Sequence, residues 1–434
     1  MDDLKGYGPN ELSHAWHSQP LSRRDFLKQA GVFSLSLLGL GLSGWFNRVS
    51  AATTGNTNHR LVVIMLRGAV DGLSIVPPYS EQDYYAVRPN IAVPPPGQAG
   101  GAINLDGRFG LHPGLQSLMP FWQQGSLGFV QASGSPDPSR SHFDAQEFME
   151  NGTPGSKRIS DGWMNRLMGL LPNQHSPTQA VSFSSVIPNI FKGSQSVANM
   201  DIARATGKTG LLDRPKISSA FDQLYTGNDA ISVAYREGMA ARHTLLEDLS
   251  QEMVMANNGA PSVQGFSKSA KKLAQVLVND PSIQLVFTDL GGWDTHFNQG
   301  TVQGPLAGKL QSLGDGLAVL LNGLGSTYAN TTLIVMSEFG RTVKENGDSG
   351  TDHGHGNVMW VAGGKVKGGK VYGEWPGINP EALFEGRDLQ VTTDFRSVIS
   401  SELAHGFGLN QGQIQKVFPN FQPSYGPIAN LFRG

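Results

Sequence analysis

Short apolar runs rich in β-branched residues recur along the chain, and each stops abruptly at glycine and polar residues. Arg60–Leu66 (RLVVIML) ends at Arg67-Gly68-Ala69-Val70-Asp71-Gly72. Residues 127–132 end at Ser133-Gly134-Ser135-Pro136, and residues 283–288 at Asp289-Leu290-Gly291-Gly292-Trp293-Asp294-Thr295-His296. Residues 331–336 end at Ser337-Glu338-Phe339-Gly340-Arg341, and a shorter run, 358–362, precedes Gly363-Gly364. Continuous apolar runs bounded by glycine read as buried parallel strands, and the polar residues past their ends lie at the carboxyl edge of the sheet. Residues 219–257, 267–278 and 304–324 carry apolar side chains at helical spacing, and 394–405 reads as a closing helix with Asp394 as N-cap. Strand and helix alternate, which predicts an α/β fold with a mostly parallel central sheet and helices on both faces.

The N-terminus carries a different pattern. Ser22-Arg23-Arg24-Asp25-Phe26-Leu27-Lys28 sets two adjacent arginines before a Phe-Leu pair and a lysine. An uncharged run over 30–45 follows, punctuated by Gly31, Gly39, Gly41 and Gly44, and too short for a comfortable membrane span of about 20 apolar residues. Val49-Ser50-Ala51 puts small residues where a signal peptidase reads. The seven-residue string resembles the bacterial twin-arginine export signal. Residues 1–51 are therefore expected to be a cleaved signal, and 52–434 a single domain without a stable membrane span. The expected location is periplasmic or extracellular, with the twin-arginine translocase as the partner during export.

Composition narrows the chemistry. The net charge of −2 gives no sign of a nucleic-acid binder. The chain has no cysteine, which removes thiolate catalysis, iron–sulfur clusters and cysteine zinc sites. No dinucleotide glycine fingerprint follows the first strand, so a nicotinamide oxidoreductase is disfavoured.

Ligands of open α/β sheets bind beyond the carboxyl ends of the strands. There the chain gathers Asp71, Asp289, Asp294, His296, Glu338, and then Asp352-His353-Gly354-His355. Carboxylates mixed with imidazoles are ligands for first-row metals, and carboxylates packed together repel unless a cation neutralises them. Asp294 and His296 flank one residue, as do His353 and His355, so each pair would share a side of an extended segment. Taken singly, Asp71 reads more simply as a turn or helix cap, and Glu338 with Arg341 as a loop ion pair. Their joint occurrence at successive strand ends favours a metal site.

After the strand at 127–132, Asp137-Pro138-Ser139-Arg140-Ser141-His142-Phe143-Asp144 reads as a loop entering a helix, with Ser141 near the cap. A hydroxyl there lies where backbone N–H groups favour a developing anion, so Ser141 is a candidate nucleophile as well as a plain N-cap. Arg140 and Arg341 are candidates to clamp an anionic group. His142 reads as a helix-start residue.

Together, Leu66-Arg67-Gly68-Ala69-Val70-Asp71-Gly72-Leu73, Arg140-Ser141-His142-Phe143-Asp144, Gly291-Gly292-Trp293-Asp294-Thr295-His296, Ser337-Glu338-Phe339-Gly340-Arg341-Thr342 and Asp352-His353-Gly354-His355-Gly356 resemble the exported bacterial family called domain of unknown function 1501. That family resembles a distant branch of the alkaline phosphatase and sulfatase superfamily. The resemblance implies an alkaline-phosphatase-like sandwich and a two-metal hydrolase of phosphate or sulfate esters with a Ser nucleophile. By position it implies Asp71, then Asp289 or Asp294 with His296, then Glu338, and His353 or His355 as metal ligands, and Ser141 as nucleophile. Phe339 stands where the superfamily has a metal histidine, so one site would be rebuilt from His353 and His355 or lost. The implied cofactor is a divalent metal, zinc first, with manganese, magnesium or calcium as alternatives, and the implied substrate a small-molecule or polymer ester. The alternative is an exported binding or assembly protein that keeps the fold and a structural metal.

Overall fold

The computed structural model describes residues 58–172, 178–200, 226–227 and 256–433. The export signal expected at 1–51 lies outside them, as does nearly all of the helix expected at 219–257.

In chain order the strands are β1 (Arg60–Leu66), β2 (Ile103–Asn104), β3 (Gly110–Leu111), β4 (Leu127–Gly134), β5 (Ala180–Ser182), β6 (Ala198–Asn199), β7 (Leu285–Leu290), β8 (Thr331–Ser337), β9 (Asn357–Gly363), β10 (Val371–Tyr372) and β11 (Thr393–Asp394). Nine of them form one sheet in the order β10-β4-β9-β8-β1-β7-β5-β6, with β11 also paired to β4; β2 and β3 make a separate hairpin. β1 pairs in parallel with both β7 and β8, at the centre. Only β9 runs against its neighbours, antiparallel to β4 and β8. Its amino end therefore lies at the edge where the other strands finish. A sheet read as mostly parallel is what forms.

The described helices that matter here are α1 (His142–Asn151), α2 (Trp163–Met168), α3 (Phe266–Asn279), α4 (Pro305–Gly323), α5 (Phe395–Gly406) and α6 (Gln411–Val417). Successive side chains of a strand point to opposite faces. Accordingly Val62, Ile64 and Leu66 of β1 pack in a core with α3 and α4, while Leu61, Val63 and Met65 pack in a second core with α2, α5 and α6. All seven residues of β1 are buried, which explains why its sequence is apolar without alternation. Asp394 caps α5 as expected, its side chain accepting from the Arg396 amide.

Candidate metal centre

The strand ends converge as the topology requires. His142 opens α1 after β4, Asp294 and His296 follow β7, Glu338 follows β8, and His353 precedes β9. The sharp turn after β1 locks the arrangement. Gly68 has φ +111°, and a Cβ there would lie 2.7 Å from the Asp294 nitrogen, so only glycine lets the two loops approach. Its amide donates to Glu338 Oε1 at 2.7 Å, and its carbonyl accepts from Arg341 Nη2 at 2.7 Å.

His142, Asp294 and His353 each aim one ligand atom at a common point, with all three atoms within 4.8 Å of one another. His142 Nε2 lies 2.9 Å from His353 Nε2, and these nitrogens lie 3.9 and 3.5 Å from Asp294 Oδ1. His296 joins at the rim, its Nε2 2.9 Å from Asp294 Oδ1 and 3.0 Å from His353 Nε2. His142 and Asp294 are buried, and His353 and His296 are partly so.

The other nitrogen of each ring fixes its protonation. His142 Nδ1 faces the Glu338 carboxylate at 2.8 Å, His353 Nδ1 the Arg140 carbonyl at 3.0 Å, and His296 Nδ1 the Asp352 carboxylate at 3.2 Å. Each of those oxygens is an acceptor, so in the neutral form of each ring Nδ1 carries the proton and Nε2 turns a bare lone pair inward. Bare lone pairs at 2.9–3.0 Å, beside a carboxylate oxygen, repel unless a proton or a cation sits among them. This is the donor set of a divalent metal bound through imidazole and carboxylate, with outer partners that orient the rings.

The charges point the same way. Burial would raise the Asp294 carboxyl, but hydrogen bonds from the His296 and His353 rings when Nε2 carries a proton, together with the Arg341 guanidinium, hold it well below the usual carboxylate range. Arg341 is itself buried, donating to Ala69 O, Thr351 O, Gly68 O and Asp294 Oδ1. Glu338 is fully buried, and its hydrogen bonds from His142 and Gln146 overcome burial to bring its carboxyl down to about 2. Glu338 accepts from Gly68, His142, Gln146 and Ser337, and among the described residues no arginine or lysine bonds it. The Glu338 charge is thus met by hydrogen-bond donors and not by a direct ion pair with arginine or lysine. Burial pushes the His353 ring down, which keeps it neutral, while the Asp294 carboxylate pulls the His296 ring up.

Several residues proposed from sequence lie elsewhere. Asp71 is buried in an ion pair with Arg88 at 2.6 and 3.1 Å, and also accepts from Ser74 and Gln299. Asp289 falls inside β7, because that strand runs two residues further than the apolar run suggested; it accepts from Arg67 at 2.7 Å and Ser184 at 2.9 Å. His355 does not follow His353. The segment is bonded around Gly340, with Gly340 N to His355 O and Gly354 N to Gly340 O, so the two rings part and His355 packs on Phe384 at 4.5 Å. Glu338 sits behind His142 instead of at the common point. Ser141 is exposed and caps α1, accepting the Asp144 amide at 3.4 Å. The Arg140 side chain is engaged by Asp388 and Glu385, and only its carbonyl reaches the cluster. Arg341 anchors Asp294 and the loop carbonyls, with no free face for an anion.

Sequence reasoning passed over His142. Its signal was its place at the first helical position after a strand that finishes at the same edge as the others. Phe339 packs against the His142 and His353 rings at 4.9 and 5.2 Å, giving them an apolar backing.

A family model described as "Protein of unknown function (DUF1501)" matches residues 122–418, more than half of the chain, and the chain belongs to that family. No curated protein matches it. Solved structures with a similar fold include Ps i-CgsB (10% identity, 82% of this chain and 74% of that chain, TM-score 0.39). A protein in the alkaline phosphatase superfamily from Vibrio parahaemolyticus is similar at 11% identity, over 74% of this chain and 64% of that one, with a TM-score of 0.37. The C-terminal periplasmic domain of EcEptC from Escherichia coli is similar at 12% identity, over 85% and 89%, with a TM-score of 0.35.

Proposed function

We propose that this family member is an exported metal-dependent hydrolase of phosphate or sulfate esters, built on one metal centre held by His142, Asp294 and His353, with His296 at its rim. The observation that carries the reading is the set of imidazoles whose Nδ1 protons are spoken for and whose bare Nε2 atoms meet beside a carboxylate. Bound there, a divalent cation such as zinc would polarise an ester oxygen and lower the pKa of a bound water. The chain's own residues hold and orient. Glu338 keeps the His142 proton on Nδ1, Arg341 fixes Asp294, and the Arg140 carbonyl fixes His353. Lys309 adds a second cation beside Asp294; its ammonium bonds Gly292 O, and burial lowers its pKa. Among the described residues this is the single cluster of its kind, so a one-metal reaction with water as nucleophile replaces the two-metal expectation, and Ser141 is assigned to the helix cap.

The second reading, an exported binding protein with a structural metal, is favoured by the same Ser141 geometry. Purified protein should hold about one equivalent of divalent metal by elemental analysis. Metal-replete protein should hydrolyse 4-nitrophenyl phosphate or 4-nitrophenyl sulfate, and His353→Ala should abolish both metal and turnover. Metal without any hydrolysis transfers the assignment to the binding protein.

The export reading rests on Arg23 and Arg24 in their seven-residue string. Replacing both by lysine should trap the precursor in the cytoplasm; normal accumulation outside it would reject the twin-arginine route. Among the described residues no helix is long and apolar enough to cross a membrane.

A further inference from the structure

Helix α1 separates two spaces at the same edge of the sheet. His142 and Gln146 face the metal centre, while Phe143, Glu147 and Asn151, one helical turn apart, line a cleft of about 450 Å³. Its floor is formed by Arg67 and Asp289. The Arg67 guanidinium is almost fully buried, with Nε on Asp289 and Nη1 on Gln146 and Glu150. Its Nη2 has no hydrogen-bond partner among the described residues. That nitrogen is not among the enclosed unpaired atoms, and the cleft that Arg67 lines is the direction from which an acceptor can come.

The cleft carries no excess of positive charge. Asp289 and Glu150 neutralise Arg67, and Glu147 faces the same space as Lys192. A free phosphate or sulfate would meet two carboxylates there. The walls instead pair neutral polar groups with apolar ones. The side chains of Ser160, Asn189 and Asn258 line the cleft without hydrogen bonds among the described residues. Beside them stand Phe143, 71% exposed although Lys157 lies 5.2 Å from its ring, and Val186 and Ile187, 64% and 48% exposed. An acyl chain would cover the apolar side and strand the amides and Arg67 Nη2. A ring with an apolar face and an edge of hydroxyls matches both sides, the face against Phe143 and the edge offering an acceptor to Arg67 and paired bonds to the amides.

We propose that this cleft is a carbohydrate subsite that takes a neutral pyranose unit. Taken with the hydrolase reading, it makes the substrate class esters carried on sugars; as a binding site it stands without that reading.

The test is binding, not turnover. Isothermal titration of the mature protein with maltohexaose, cellohexaose and chitohexaose should show saturable binding of at least one. Phe143→Ala and Asn258→Ala, both exposed and neither a metal ligand, should each weaken it at least tenfold while metal content stays unchanged. Decanoate and inorganic sulfate should not compete. Binding of none of the three oligosaccharides, binding indifferent to both substitutions, or displacement by decanoate would overturn the proposal. Oligosaccharide binding with no ester hydrolysis would retain the subsite and remove the hydrolase.

Discussion

Asp71 and Asp294 are both buried aspartates just past the end of a central strand, each bonded to a buried arginine, yet their surroundings are opposite in kind. Asp71 meets only donors: the Arg88 fork, the Ser74 hydroxyl and the Gln299 amide. Its charge is settled inside the protein. Asp294 Oδ1 receives Arg341 and then faces the Nε2 atoms of three imidazoles, which are acceptors whenever those rings are neutral. A carboxylate at a strand end is therefore no indicator of a metal by itself. The hydrogen-bonding sense of what surrounds it separates a structural pair from a site that lacks a cation.

The comparison can be broken most forcefully at the ligands. His142→Ala should lower zinc affinity by more than about 100-fold, beyond the 10–100-fold seen for outer partners, and elemental analysis of the dialysed variant reads it directly. Metal retained at wild-type stoichiometry would remove His142 from the centre. Asp71→Ala should leave metal binding intact in the folded protein but cost about 3–5 kcal/mol in denaturant unfolding, because Arg88 is then buried without a partner. A loss of metal with no loss of stability would reverse the two roles.

The milder Asp71→Asn carries a pH signature. Burial would raise the Asp71 carboxyl, but Arg88 holds it below its ordinary value. Its stabilisation is therefore complete above the unfolded carboxyl pKa of about 4 and lost as pH falls through the lower folded value. The gap in stability between wild type and Asp71→Asn should be full at pH 7 and shrink below about pH 4 in parallel urea titrations.

Glu338→Gln sharpens the other side. An amide can offer its NH₂ to His142 Nδ1, moving the ring proton to Nε2 and into the centre. Zinc affinity should fall about 10–100-fold, and ¹⁵N chemical shifts of the His142 ring should report the changed tautomer. An unchanged tautomer would deny Glu338 that role. Smallest of all, Ser141→Ala should cost about 1 kcal/mol and leave metal and any hydrolysis nearly untouched. A large loss of turnover with metal retained would restore Ser141 as nucleophile.

Strand positions were legible because both faces of the sheet are covered, which leaves β1, β7 and β8 buried throughout and each with a continuous apolar stretch. Asp294, His296 and His353 could be picked out for the same reason, since the motif follows the strand end. The fate of Asp71 was not legible, because Arg88 stands 17 positions away in an unremarkable stretch and meets it only through the fold. The reversed direction of β9 had a readable sign. Residues 338–356, between β8 and β9, hold no helical pattern, and a parallel return normally needs one. The parting of His353 from His355 had no such sign, since it depends on bonds to Gly340 that the local spacing does not contain.

The centre also fixes when it can come into being. His142 and His353 are 211 residues apart in sequence, and Glu338 lies 196 from the ring it orients and 270 from the Gly68 amide. Contacts of such high contact order form only after long loops have closed and the central strands have found their partners. No nascent or half-assembled chain can present these donors together. Whatever ion the centre takes is captured at the end of folding, so occupancy serves as a certificate that the whole domain, from β1 to β9, has closed.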